Sequence, residues 1–381
     1  MKATTHCRFA SLTRAAPAPG RLLRLLAAAL FLAGLARAES TLAVMEQVAD
    51  WQLAHPADCS ATDWQNGAFY SGVMALAEVS PSARFTAAMR RMGEANRWQP
   101  GERPYHADDQ AVGQTYIDLS RICHDPGMIR PLRERFDYIL AHPQDDNLLF
   151  DPVRNPGYLD RWSWCDSLFM APPTWAKLAR LTGDPRYLEY AVKKWWVTSD
   201  YLYDRTEHLY FRDSTYFGRR EKNGRQIHWA RGNGWVFAGL VHLLQNLPQD
   251  HPARLRFVQQ FREMAGRIAD LQSADGFWRA SLLDPENYPM QESSGTGFFC
   301  YGIAWGVNED LLDKARYAPV ATKAWAALLG CVQPDGKLTQ VQPVGATPGH
   351  FDAGHTGPYG VGAFLLAGRE MLRLEGSDSG R

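Results

Sequence analysis

Apolar and polar positions along the chain sort into two kinds of helical segment that alternate from end to end. One kind is apolar nearly all round and rich in small residues, over 63–79, 106–122, 166–183, 228–244, 293–307 and 355–374. The other keeps a polar stripe, over 40–55, 81–98, 128–142, 186–203, 252–272 and 315–332. In 81–98, for example, Arg84, Arg90, Arg91 and Glu94 can line a wet face. A helix that touches neighbours on every side needs small residues, whereas one on the outside keeps a solvated stripe. The apolar segments start near Asn66, Asp109, Asp166, Asn233, Thr296 and Pro358, a spacing of roughly 60 residues. One outer and one inner helix per repeat predicts an all-α fold, an (α/α)6 barrel; an irregular all-α solenoid is the alternative. Asp275-Gly276 and Asp335-Gly336 follow two successive outer helices at the same place and predict matching turns, each able to hold a short β-hairpin.

The stretch RWSWCDSLFMAPPTWAKLARLTGD, residues 161–184, anchors the pattern. Arg161, Trp162 and Trp164 crowd the carboxylate of Asp166, and Leu168, Phe169, Ala171, Trp175, Leu178, Ala179 and Leu181 follow at helical spacing. Gly183 with Asp184-Pro185 supplies the stop. Asp166 is either a helix N-cap or an acid whose proton affinity is set by aromatic walls.

Charge narrows the function. The 381 residues carry 41 basic and 41 acidic side chains, which argues against a nucleic-acid partner. Aromatic residues make up 12% of the chain, with 13 Trp, as sugar-binding clefts and large helical cores both require. Basic residues up to Arg24, an apolar run over 25–35 and Ala36-Arg37-Ala38 read as a signal peptide, 1–38, cut after Ala38. That leaves residues 39–381 as one barrel domain, periplasmic or secreted, with no stable membrane span and as a monomer or homodimer. Beyond Cys7 the five cysteines Cys59, Cys123, Cys165, Cys300 and Cys331 are an odd set without CxxC spacing, so no pairing follows from them. No His/Cys cluster resembles a zinc site. GxSxG, HExxH and Walker motifs are absent from the sequence.

In a toroid the loops leading into the inner helices gather at one mouth. His106, Asp108 and Asp109 would meet Trp164 and Asp166 there, together with Arg212, Asp213, the segment 229–235, Glu292 and His355. Two adjacent acids beside His106 exceed what a cap needs, and carboxylates on neighbouring inner helices can hold different proton affinities. In HWARGNGW the glycines allow close backbone approach, Arg231 offers a fork matched to a carboxylate, and Trp229 and Trp235 offer stacking faces, with Asn233 in the same run. Together they suit a sugar acid, so the expected partner is a small oligosaccharide.

The motifs WCDSLFMAPPTWAKLARLTGD, HWARGNGWVFAGL, QESSGTGFFCYGIAWGV and YGVGAFLLAGREM resemble the unsaturated rhamnogalacturonyl hydrolases, glycoside hydrolase family 105, and the related family 88 of unsaturated glucuronyl hydrolases. The resemblance runs from about Trp51 to Leu374. It implies an (α/α)6 barrel and removal of a 4,5-unsaturated uronic acid, foremost galacturonate linked to rhamnose, from the non-reducing end of a lyase product. It makes Asp166 the general acid/base, places the second acid on Asp108 or Asp109 with Asp108 preferred, and puts substrate contacts on Trp229 and Arg231. A family histidine is not matched; LYFRDSTYF places Arg212 and Asp213 there instead. The implied reaction hydrates the C4=C5 vinyl ether, so it needs no metal and no organic cofactor, and the carboxylate-spacing rule of ordinary glycosidases does not apply. The alternatives are a non-catalytic carbohydrate-binding barrel, and an epimerase or isomerase using His228 and His355.

Overall fold

The structure is a computed structural model that describes Met1 and residues 41–379; the expected signal segment lies outside the described residues. Helix α1 covers 41–54. It is followed by α2 (Trp64–Val79), α3 (Arg84–Ala95), α4 (Gly113–Cys123), α5 (Arg130–Ala141), α6 (Ser167–Met170), α7 (Pro172–Thr182) and α8 (Pro185–Leu202). Then come α9 (Ala230–Asn246), α10 (Arg254–Asp270), α11 (Ser293–Asn308), α12 (Lys314–Leu329) and α13 (Pro358–Ser379). A two-stranded antiparallel ribbon, β1 (Tyr203–Asp204) with β2 (Leu209–Tyr210), sits between α8 and α9.

Packing closes a ring: α2 lies against α4, α4 against α7, α7 against α9, α9 against α11, α11 against α13, and α13 against α2. These are the inner helices, with α6 and α7 sharing one place. The outer layer is α1, α3, α5, α8, α10 and α12, as the alternation predicts. Every residue from Ala230 to Leu244 of inner α9 is buried, whereas outer α10 buries only Phe257, Gln260, Phe261, Met264, Ala265 and Ile268, three or four apart. Small residues let the inner backbones approach. A Cβ on Gly72 would stand 2.6 Å from the carbonyl oxygen of Gly362, so α2 and α13 touch main chain to main chain.

The axis is filled with rings. Trp235 packs against Phe298 at 4.3 Å, Phe169 at 4.8 Å and Trp64 at 6.0 Å, and Trp64 packs against Tyr359 at 5.3 Å. These side chains come from α2, α6, α9, α11 and α13 and separate the two mouths of the toroid. Offset and edge-on ring pairs add attraction beyond area burial, about 0.5–1.5 kcal/mol each.

Local signals hold in most places. Asp63 caps α2 by accepting from the Gln65 amide at 2.9 Å. Gly183 ends α7 at φ +75°, and Asp184 caps α8 by accepting from the Arg186 amide at 3.0 Å. Gly276 and Gly336 sit at φ +93° and +95° in matching turns, each closed by a 2.9 Å backbone bond, Ser273 N to Phe277 O and Gln333 N to Lys337 O. Two expectations are corrected. The run over 166–183 is two helices, because Pro172 and Pro173 have no N–H for a helical ladder and Ala171 turns aside at φ −106°, ψ −58°. The segment 106–122 likewise starts with a 3-10 turn, Ala107–Gln110, ahead of α4. No helix among the described residues is long and apolar enough to cross a membrane, and the five described cysteines are free thiols.

Candidate active site

Short contacts tie the loops at the N-terminal ends of the inner helices into one mouth. The Cys165 amide donates to the Arg212 carbonyl at 2.8 Å, and Trp164 bridges Asp213. The Trp164 ring lies 5.0 Å from His106, and the Gln342 amide donates to Glu292 at 3.3 Å. Segments far apart in sequence thereby surround Asp166.

Asp166 immediately precedes α6, yet its side chain makes no cap hydrogen bond. Its backbone is already helical, at φ −62°, ψ −26°. A capping residue is normally extended, so the N-cap reading of Asp166 is overturned. The carboxyl is turned into the site instead and is 8% exposed. The Cys165 thiol donates to its Oδ1 at 3.8 Å, and Arg212 Nε stands 3.7 Å from its Oδ2. A Cβ on Gly232 would come within 3.5 Å of Oδ1, so the first turn of α9 closes directly on the carboxyl. Burial pushes the proton affinity of Asp166 up, against the pull of Arg212 and then Arg231.

The adjacent acids separate cleanly. Asp109 is locked to Arg103: the Arg103 amide donates to Oδ2 at 2.7 Å and its Nη2 to Oδ1 at 2.5 Å. Asp108 makes no ion pair with Arg or Lys among the described residues; His106 Nδ1 lies 3.8 Å from its Oδ2. Burial first, and then the charge of Asp166, push Asp108 up to about 7, with Arg103 opposing. His106 is pushed down to about 4, chiefly by burial, so its ring is neutral at neutral pH. Its Nδ1 accepts from the Asp108 amide at 3.3 Å, which orients the turn.

The other predicted side chains divide by how fully the protein engages them. Arg231 donates from Nη1 to the Gln342 carbonyl and from Nη2 to the Pro343 carbonyl at 2.8 Å, and it stacks between Trp229 and Tyr359. Its fork is therefore taken by backbone oxygens, which corrects the expectation that it stands open for a carboxylate. Trp229 donates from Nε1 to Gln342 at 2.8 Å. Asn233 clamps β2, accepting from the Tyr210 amide at 2.7 Å and donating to its carbonyl at 3.1 Å. Trp235 belongs to the axial ring cluster. Asp213 accepts from Arg212 Nη1 at 2.7 Å and from the Thr215 amide at 2.8 Å. Glu292 caps α11 through the Ser294 and Gly295 amides at 2.9 and 2.6 Å. His228 and His355 are held away from paired chemistry. The first lies between the Tyr210 carbonyl and Asp204, the second against the Val341 carbonyl at 2.8 Å.

Sequence reasoning missed Arg103, Gln342 and Tyr359. Arg103 was within sight, six residues before the acid it neutralises. Gln342 and Tyr359 carried no local signal.

A cavity of about 680 Å³ lies at the opposite mouth, where Glu78, Arg121, Arg180, Asn246, Glu309 and Arg373 end the inner helices. Its charges are largely spent on one another, as in Lys177–Asp118 at 2.6 Å and Arg373–Glu309 at 2.8 Å. It holds no carboxyl pair like Asp108 and Asp166, so the chemistry belongs to the first mouth.

A helical toroid with two unequal carboxyls, Asp166 buried and Asp108 half-buried, among tryptophans and arginines fits a carbohydrate-active enzyme. The sequence profile of Glycosyl Hydrolase Family 88 matches residues 38–375. The chain belongs to that family and is a glycosidase. It is 39% identical over 342 residues to the "Unsaturated 3S-rhamnoglycuronyl hydrolase" of Formosa agariphila, covering 87% of this chain and 90% of that one. A solved family 88 glycosyl hydrolase from Bacteroides vulgatus superposes with a TM-score of 0.81 at 31% identity, over 88% of this chain and 99% of that one. A second solved chain, named as a polysaccharide lyase, gives 0.81 at 34%, over 90% and 99%.

Proposed function

We propose that the protein removes a 4,5-unsaturated uronic acid from the non-reducing end of lyase-generated oligosaccharides in which the next sugar is rhamnose. The observation that carries this is the carboxyl pair: Asp108 and Asp166 lie on neighbouring inner-helix starts, both held toward their protonated forms by burial. Two such groups in a low-dielectric site titrate as a unit and can hold one proton between them near neutral pH. Rhamnose follows from the name of the Formosa relative. Elimination across C4–C5 erases the C4 centre that separates galacturonate from glucuronate, so both parents give the same unsaturated residue. The neighbouring sugar then distinguishes the substrates.

In this reaction Asp166 delivers its proton to C4 and water adds at C5, returning a proton to the carboxylate. The C5 hemiketal opens to a ketone, and the hemiacetal left at C1 releases the aglycone as an alcohol. One water is consumed. Asp108 shares the proton and keeps the pair from ionising fully. The arrangement of His228 and His355 in backbone and carboxylate bonds weighs against an epimerase. The segment 1–38 serves, in this reading, as an export signal that delivers the enzyme to the periplasm or beyond, where lyase products arise.

The conjugated enol-ether carboxylate absorbs in the ultraviolet, so hydration removes the absorbance and a lyase reaction creates it. The test is to incubate the protein separately with unsaturated rhamnose-linked disaccharides and with intact polysaccharide. Falling absorbance on the disaccharides is expected; rising absorbance on the polysaccharide would make the protein a lyase.

A further inference from the structure

The substrate carries a carboxylate on C5, so the carbon that must be protonated lies two bonds from the carboxylate carbon. Whatever cation receives that carboxylate must therefore stand beside the proton donor. Arg231 also has a buried, unpartnered Nε, but both its Nη atoms are committed to the Gln342 and Pro343 carbonyls and its guanidinium is pinned against two rings. Arg103 is committed to Asp109. His106 is neutral.

Arg212 is different. Its guanidinium rests 4.8 Å over Phe150, and its Nη1 donates to Asp213 at 2.7 Å. Its Nε is buried with no hydrogen-bond partner, 3.7 Å from Asp166 Oδ2, which is too long for a hydrogen bond. Nη2 makes no hydrogen bond to any described residue and, unlike Nε, is not shut away from solvent. A buried unpaired N–H is costly, and an incoming carboxylate relieves that cost.

We propose that Arg212 takes the carboxylate of the unsaturated uronic acid, gives up Asp166 in doing so, and that this exchange loads the proton onto Asp166. The inference rests on the function proposed above. The groups facing Asp166 are Arg212 and Asp213 after β2, Arg231 on α9, the Cys165 thiol beside it and Asp108 ahead of α4. Of the two cations, Arg231 is held by carbonyls, so Arg212 is the one a ligand can draw away. Binding then takes up one proton from solvent: the substrate remains a carboxylate, Asp166 becomes a carboxylic acid, and that proton goes on to C4. In the free enzyme Arg212 opposes the burial that favours protonated Asp166; in the complex that opposition is withdrawn and the carboxyl is held as an acid.

The test compares an unsaturated uronyl-rhamnose disaccharide with its methyl ester, using wild type, Arg212→Gln and Arg212→Lys, each checked for folding by circular dichroism. In Arg212→Gln, kcat/KM for the acid should fall about 10- to 100-fold while that for the ester stays within about 3-fold, and Arg212→Lys should recover part of the discrimination. In wild type the basic fall-off of kcat should lie at higher pH than that of kcat/KM, and in Arg212→Gln the two should coincide. Wild-type turnover with the acid-to-ester ratio and the pH gap both unchanged in Arg212→Gln would overturn the inference alone. Wild-type protein that leaves the absorbance of the disaccharide unchanged overturns the function on which it rests.

Discussion

Replacing Asp108 by Asn should stabilise the protein at alkaline pH while stopping its chemistry. The folded carboxyl titrates at about 7 against an ordinary value of 3.8. A gap of about three pH units corresponds to roughly 4 kcal/mol. Its sign follows from proton counts. Between the two values the folded protein binds the proton and the unfolded chain has lost it, so stability falls by about 1.4 kcal/mol per unit as pH rises from about 4 to 7. Below that window the penalty vanishes, and above it the penalty is complete. The side chain is 19% exposed, so solvent screening trims the figure. Asparagine is neutral throughout and carries no penalty. Urea denaturation should therefore show a gain of about 1–2 kcal/mol for Asp108→Asn at pH 5 and about 3–4 kcal/mol at pH 8, with m unchanged. Absorbance loss on the unsaturated disaccharide should fall in the same variant. A variant no more stable at pH 8 than at pH 5, or less stable than wild type at pH 8, would refute the reasoning that Asp108 is a strained, functional acid.

Two further effects follow from the geometry. Asp204, pulled down to about 2 first by its hydrogen bond with His228, supplies stability that is complete above about pH 4 and lost as pH falls toward 2; Asp204→Asn should cost roughly 2 kcal/mol at pH 7 and little at pH 2, read from thermal denaturation. Gly239→Ala gains helix propensity of about 1 kcal/mol, but its Cβ would strike the Leu168 carbonyl, where α9 crosses α6, and overpacking of about 1–3 kcal/mol should win, lowering Tm. Gly266→Ala on outer α10 is the control: its Cβ meets only Tyr317 Oη at 3.7 Å, so Tm should hold or rise.

The toroid was legible because inner and outer helices differ in composition all along the chain, and burial on every side is a property that sequence records directly. The break at Pro172 was legible too, and was overridden by the regular apolar spacing around it. The site was harder. Helical position alone suggested a cap for Asp166, but capping needs an extended backbone, and only the fold shows that this residue is already helical. Asp108 and Asp109 look alike in sequence; they separate through Arg103, whose amide and guanidinium both turn to one of them. The loss of Arg231 as an open fork depends on carbonyls more than a hundred residues away. Arg212 stood out in sequence only as a departure from a family pattern, and its free donor became visible only in three dimensions.

The central claim is that Asp166 protonates the unsaturated sugar, and Asp166→Asn tests it most directly. The variant keeps the shape of the side chain and should keep its helical circular dichroism. It should also still bind the unsaturated disaccharide, while the rate of ultraviolet absorbance loss drops by about 10²–10⁴-fold, the usual contribution of a general acid/base. Absorbance loss at the wild-type rate in a folded Asp166→Asn protein would contradict the account.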